Sequence, residues 1–121
     1  MANPFVHIEL QTSDLKKAKD FYGRLFDWKL EDTQMPDFGT YTLLGVGDGT
    51  GGGMMTAEKG TPSAWIPYVN VADIDSSTTK AKQLGAKVIV DVTAVADMGR
   101  MSIFIDPTGA TLGLWQANPR K

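Results

Sequence analysis

From Val6 to Gln11 apolar and polar residues alternate, with Val6, Ile8 and Leu10 on one side and His7, Glu9 and Gln11 on the other. Alternation with a period of two marks a strand that buries one face. Ser13 or Asp14 then stands where a helix cap belongs. Leu15, Ala18, Phe21/Tyr22 and Leu25/Phe26 recur at helical spacing. The stripe predicts a helix packed on Val6, Ile8 and Leu10, with Phe21, Tyr22 and Phe26 as core. His7 and Glu9 are thereby predicted to point to the opposite face of the sheet.

Asp27 to Leu30 reads as a second strand, Met35-Pro36-Asp37-Phe38-Gly39 as a loop and Thr40 to Val46 as a third strand. The run Gly47-Asp48-Gly49-Thr50-Gly51-Gly52 reads as a turn and a flexible approach to a fourth strand at Met54-Met55. It lacks the Lys-Ser/Thr pair and the following helix that a phosphate-binding loop requires.

The pattern then starts again. Ile66-Pro67-Tyr68-Val69-Asn70-Val71-Ala72-Asp73-Ile74 repeats strand, turn and cap, with Asp73-Ile74 in the place of Asp14-Leu15. A thin stripe of Ile74, Thr78, Ala81 and Leu84 predicts the second helix, stopped at Gly85. Val88 to Val90, Met101 to Ile105 and Thr111 to Gln116 read as strands, with turns at Asp97 to Arg100 and at Asp106-Pro107-Thr108-Gly109. The two halves end alike, on Gly53-Met54-Met55 and Gly113-Leu114-Trp115. An α+β fold of two βαβββ modules, about 1–57 and 64–121 joined by a linker at about 58–63, follows within a single domain. Two half-sheets around a shared cleft are the expected arrangement. Parity sends Pro67, Val69 and Val71 to the second helix, and Ile66, Tyr68 and Asn70 to the other face, where Gly113 and Trp115 also fall.

Twelve basic and 14 acidic residues give a net charge of −2, too weak to steer nucleic acid or an anionic membrane. No apolar run reaches the roughly 20 residues of a membrane span, and residues 1–12 do not read as a signal peptide. With no cysteine there is no disulfide, thiolate ligand or thiol nucleophile. A cytoplasmic protein with no nucleic-acid or membrane partner is the expectation.

His7-Ile8-Glu9-Leu10 before Ser13-Asp14-Leu15, Phe21-Tyr22-Gly23-Arg24-Leu25-Phe26-Asp27-Trp28, Val71-Ala72-Asp73-Ile74-Asp75, Asp106-Pro107-Thr108-Gly109 and Leu114-Trp115-Gln116 together carry a resemblance across the whole chain. The sequence resembles the vicinal oxygen chelate superfamily of glyoxalase I, extradiol dioxygenases, and bleomycin- and fosfomycin-resistance proteins. The resemblance implies a U-shaped mixed sheet with helices outside and a ligand inside the U, usually beside a divalent metal. It also implies four metal-ligand positions, in the opening and last strands of each module. Here they hold His7, Ile66, Gly113 and Gly53 (or Gly52). One imidazole does not assemble a tight divalent site, which takes about three or four ligands, so no metal cofactor is expected. Glu9, about 6–7 Å along the strand from His7, would still need a third ligand from the other half.

The expected ligand-binding residues are His7, Glu9, Trp28, Tyr68, Asn70 and Trp115, with Trp65, Met54, Met55 and Phe104 as further walls. Aromatic walls with a few polar groups suit a small apolar or aromatic molecule. A binding protein of the bleomycin-resistance kind is the first reading. The alternative is a lyase, isomerase or dioxygenase-type enzyme using His7 and Glu9 as an acid–base pair, with or without a divalent metal. A homodimer is expected, since the superfamily's members commonly pair and Met54-Met55 and Met98 to Met101 suit a contact surface.

Overall fold

The computed structural model describes residues 2–35 and 39–119. The chain forms β1 (Phe5–Thr12), α1 (Leu15–Leu25), β2 (Lys29–Met35), β3 (Gly39–Gly45) and β4 (Gly52–Thr56). It then repeats the order as β5 (Ala64–Asn70), α2 (Ile74–Gln83), β6 (Lys87–Val95), β7 (Gly99–Ile105) and β8 (Thr111–Ala117). The α+β class and the doubled βαβββ order are as the sequence predicts. Two compact units result: the described residues from His7 to Ile66 form the first, and those before His7 and after Ile66 form the second. Of the loop read at Met35 to Gly39, residues 36–38 lie outside the described residues. No helix among the described residues is long and apolar enough to cross a membrane.

The first unit orders its strands β2-β3-β4-β1. β1 and β4 run parallel, with Glu9 opposite Gly53 and Leu10 opposite Met54, while β2–β3 and β3–β4 are antiparallel. Directly opposite residues share a face, so Leu10, Leu44 and Met54 meet beneath α1, and Leu15, Ala18, Tyr22, Trp28, Leu30 and Val46 pack around them. Glu9, Gly53 and Leu43 belong to the opposite face. Asp32 ties α1 to the sheet, accepting from Lys19 Nζ and Thr42 Oγ1 at 2.7 Å each, and both donors hold its carboxyl below the usual range.

The helix itself departs from the sequence reading. No residue of α1 is fully buried; Phe21 is 57% exposed and Phe26 44%. The expected aromatic core is a surface-reaching cluster instead. Tyr22 stacks on Trp28 at 5.8 Å and meets Phe21 and Trp65 edge-on, at 4.9 and 5.3 Å between ring centroids. The physical reason is that Leu15, Ala18 and Tyr22, together with Trp28, Leu30 and Val46, already cover the core of Leu10, Leu44 and Met54.

The second unit orders its strands β5-β8-β7-β6, with β5 parallel to β8. Val71, Ile74 and Leu114 form its core under α2, joined by Val69, Val92 and Phe104. A buried hydrogen bond of 2.9 Å between Thr78 and Ser102 fixes α2 to β7. Arg100 lies within β7 rather than in a turn before it, and donates to Asp75 Oδ2 (2.8 Å) and Gln116 Oε1 (3.1 Å). Gln116 Oε1 also accepts the Ile74 backbone N–H at 2.8 Å, which satisfies the first turn of α2.

Both helices start alike. Asp14 Oδ1 accepts the Lys17 N–H at 3.0 Å and Asp73 Oδ1 accepts the Ser76 N–H at 3.2 Å. Asp14, not Ser13, is therefore the first cap. The expected outcome of Asp14→Ala is a loss of about 1 kcal/mol, read as a lower midpoint of urea unfolding with an unchanged slope.

Candidate functional site

The face of the first unit away from α1 carries a continuous chain of hydrogen bonds. Tyr41 Oη donates to Glu9 Oε1 at 2.9 Å and lies 2.6 Å from His7 Nε2. Gln11 Nε2 donates to Glu9 Oε2 at 2.8 Å. Because the phenol proton goes to the carboxylate, the phenol oxygen accepts from His7, which places the imidazole proton on Nε2 and makes Nδ1 the acceptor of the neutral ring. The His7 and Tyr41 rings are nearly parallel, at 20°, with centroids 6.2 Å apart. Glu9 is 6% exposed and Tyr41 9%.

One missing side chain makes this arrangement possible. The Tyr41 ring crosses β4 over Gly53, and a Cβ built at Gly53 would meet the ring and its hydroxyl oxygen. The second unit uses the same device: the Tyr68 ring lies over Gly113, and a Cβ there would meet that ring. Tyr68 pairs with Gly113 and Asn70 with Trp115 across β5 and β8, so Tyr68, Asn70 and Trp115 share one face of that unit, along with Met101 and Ile103. Tyr68 is buried, whereas Asn70 and Trp115 are half-buried. The Asn70 backbone is pinned, its N–H donating to Pro4 O and its carbonyl accepting from Asn3 Nδ2, each at 2.9 Å.

Of the sequence-derived candidates, His7 and Glu9 stand together in the first unit, and Tyr68, Asn70 and Trp115 together in the second. Trp28 does not join His7 and Glu9. It packs on the α1 side with Leu10, Leu44 and Met54, because Tyr22 and Phe26 hold its ring there at 5.8 and 4.8 Å. Trp65 joins the same aromatic cluster, while Met54 and Phe104 are packed in the two helix-side cores. Met55, opposite Gln11, is the remaining wall residue on the Glu9 face. Tyr41 was missed by the sequence reading. The available signal was the parity of β3, in which Leu44 and Thr42 face the helix and Tyr41 must face away.

Burial pushes the His7 pKa below its usual 6.5, and the negative charge of Glu9 offsets this in part. Burial thus keeps the imidazole neutral at neutral pH, and a proton taken up at Nδ1 would let the Nε2 proton move to the Tyr41 oxygen as the phenol proton moves to Glu9. The folded protein binds fewer protons at His7 than the unfolded chain does, so this contribution to stability is complete above pH 6.5 and declines as the pH falls below it, until the folded-state pKa is reached. Urea unfolding followed from neutral pH downward through that value should show the decline, and His7→Asn should flatten it. Tyr41→Phe removes a donor from the buried Glu9 carboxylate and a partner from His7, and should cost about 1–3 kcal/mol in the same assay.

A family model described as the Glyoxalase/Bleomycin resistance protein/Dioxygenase superfamily matches residues 5–114. "Putative glyoxylase CFP32" of Mycobacterium tuberculosis is 36% identical over 116 residues, covering 92% of this chain and 44% of that protein. The anthracycline biosynthesis protein DnrV of Streptomyces peucetius is 27% identical over 127 residues, covering 89% of this chain and 45% of its own length. The chain spans less than half the length of these curated relatives. Methylmalonyl-CoA epimerase from Mycobacterium tuberculosis has the same fold, with a TM-score of 0.70 at 16% identity, over 95% of this chain and 88% of the other. The doubled βαβββ order and the match over nearly the whole chain lead to one conclusion: this protein belongs to the Glyoxalase/Bleomycin resistance protein/Dioxygenase superfamily.

Proposed function

We propose that this chain binds a small apolar or aromatic molecule, in the manner of the drug-binding members of its superfamily, and does so without a divalent metal. The observation that carries the reading is the pair of tyrosine seats. The superfamily resemblance puts carboxylate ligands where this chain has Gly113 and Gly53 (or Gly52), and phenol rings occupy the space into which side chains at positions 53 and 113 would grow. The two opening-strand positions hold His7 and Ile66. The residues present do not fit a tight divalent site, which needs about three or four ligands.

In their place one unit offers the half-buried His7 ring above the buried Tyr41 and Glu9, and the other offers the half-buried Trp115 and Asn70 beside the buried Tyr68. Such a mixture recognises a ring by stacking and orients it by one or two hydrogen bonds. The name of DnrV ties that relative to anthracyclines, which are flat polycyclic aromatics, and supports the same class of ligand here. Binding as a homodimer is part of the proposal.

The test is elemental analysis of protein purified without chelators, together with thermal melts across Mn²⁺, Fe²⁺, Ni²⁺, Zn²⁺ and a panel of aromatic compounds. No stoichiometric metal is expected. An aromatic compound at a hundred times its dissociation constant should add about 2.7 kcal/mol, and less in Trp115→Ala. Stoichiometric metal that disappears in His7→Ala overturns the proposal.

A second reading, a lyase or isomerase, draws on the His7–Tyr41–Glu9 chain, because three hydrogen-bonded groups with a neutral imidazole at one end can take up and relay a proton. Turnover of 2-oxoaldehyde thiol adducts, lowered at least about 100-fold in both His7→Ala and Glu9→Gln, would establish that reading in place of the first.

A further inference from the structure

The α1 side of the first unit contains a cavity of about 230 Å³, lined chiefly by Ile8, Leu44, Val46, Gly52 and the indoles of Trp28 and Trp65. It lies on the opposite face of the sheet from His7, Glu9 and Tyr41. Gly52 lets β4 lie close against β1 at the edge of the hollow, where a Cβ would run into the backbone carbonyl of Ile8. The walls of the hollow are apolar, and the Trp65 indole N–H is already directed to Tyr22 Oη at 3.3 Å.

We propose that this cavity is a binding site, separate from the His7–Tyr41–Glu9 face, for a flat aromatic molecule of one or two fused rings. Three properties select that class. The volume exceeds the ~150 Å³ engineered apolar cavity that binds benzene. Water in an apolar hollow lacks the two to four polar partners it needs. The two indoles meet edge to face, at 81° and 6.3 Å between centroids, so a bound ring packs into the corner they form. Trp65 is 37% exposed, which leaves the site reachable from solvent. The inference does not rest on the function proposed above, since no residue is shared between the two.

The chain's three tryptophans make the test direct. Their indole N–H resonances, assigned by single Trp→Phe substitutions in ¹⁵N-labelled protein, are followed during titration with unlabelled indole. Saturable shifts of the Trp28 and Trp65 lines are expected, whether or not the Trp115 line also responds. Val46→Phe fills the cavity and should weaken binding at least tenfold. Trp65→Ala, a change at a partly exposed position, should do the same, and it keeps the test valid if Val46→Phe fails to fold. Non-saturating drift of all three lines, movement of Trp115 alone, or unchanged affinity in the folded variants overturns the proposal. So does a dilution-dependent shift of the Trp28 and Trp65 lines without indole, which would mean that a second copy of the chain fills the space.

Discussion

A tyrosine ring lying flat across a neighbouring strand needs that strand to lack a side chain at the crossing point, and both units meet this condition with a single glycine. At Gly53 the condition permits Tyr41 to reach Glu9 and His7, and so governs the whole hydrogen-bond chain on that face. At Gly113 it lets Tyr68 sink to almost complete burial beside Asn70 and Trp115. Packing in a protein interior is tight enough that one methyl group at either position would displace a ring. The chemistry of each face therefore depends on an absence in the last strand of its unit.

The division of labour between the two sides of each sheet follows from strand parity. In the first unit the odd positions of β1 hold His7 and Glu9, while the even positions supply Leu10 to the core under α1. Burial does two things to the polar side at once. It makes an unpaired group costly, so that each of these residues is hydrogen-bonded, and it disfavours charge on His7. Glu9 keeps its two oxygens engaged by Tyr41 and Gln11, which is how a carboxyl can remain with so little exposure.

Much of this was legible in the sequence. The alternation over Val6 to Gln11 set the facing of His7 and Glu9, and the repeated Asp-Leu and Asp-Ile pairs marked the two helix caps. The glycines ending each half stood out as a repeat, but their use was invisible, because a glycine in a sequence says that something comes close without naming what. Tyr41 supplies the answer, and it lies 12 residues upstream of Gly53 on a different strand. Trp28 was misplaced for a related reason. It precedes β2, outside the reach of parity, and its position is set by Tyr22, Phe26 and Trp65, contacts between elements that no local pattern encodes. The exposure of Phe21 and Phe26 likewise depends on how much sheet there is to cover, a property of the assembled unit and not of the helix.

The glycine seats also shape what this lineage can become. A carboxylate introduced at position 53 alone collides with Tyr41, and one at position 113 alone collides with Tyr68. Adding a side chain in either strand is therefore harmful unless the facing tyrosine has already changed, and losing that tyrosine first dismantles the packing that the glycine serves. The two substitutions in each unit are epistatic in both orders. Positions 41 and 53, and positions 68 and 113, therefore vary as locked pairs, and the tyrosine seats act as a ratchet that holds the ring-lined surfaces in place.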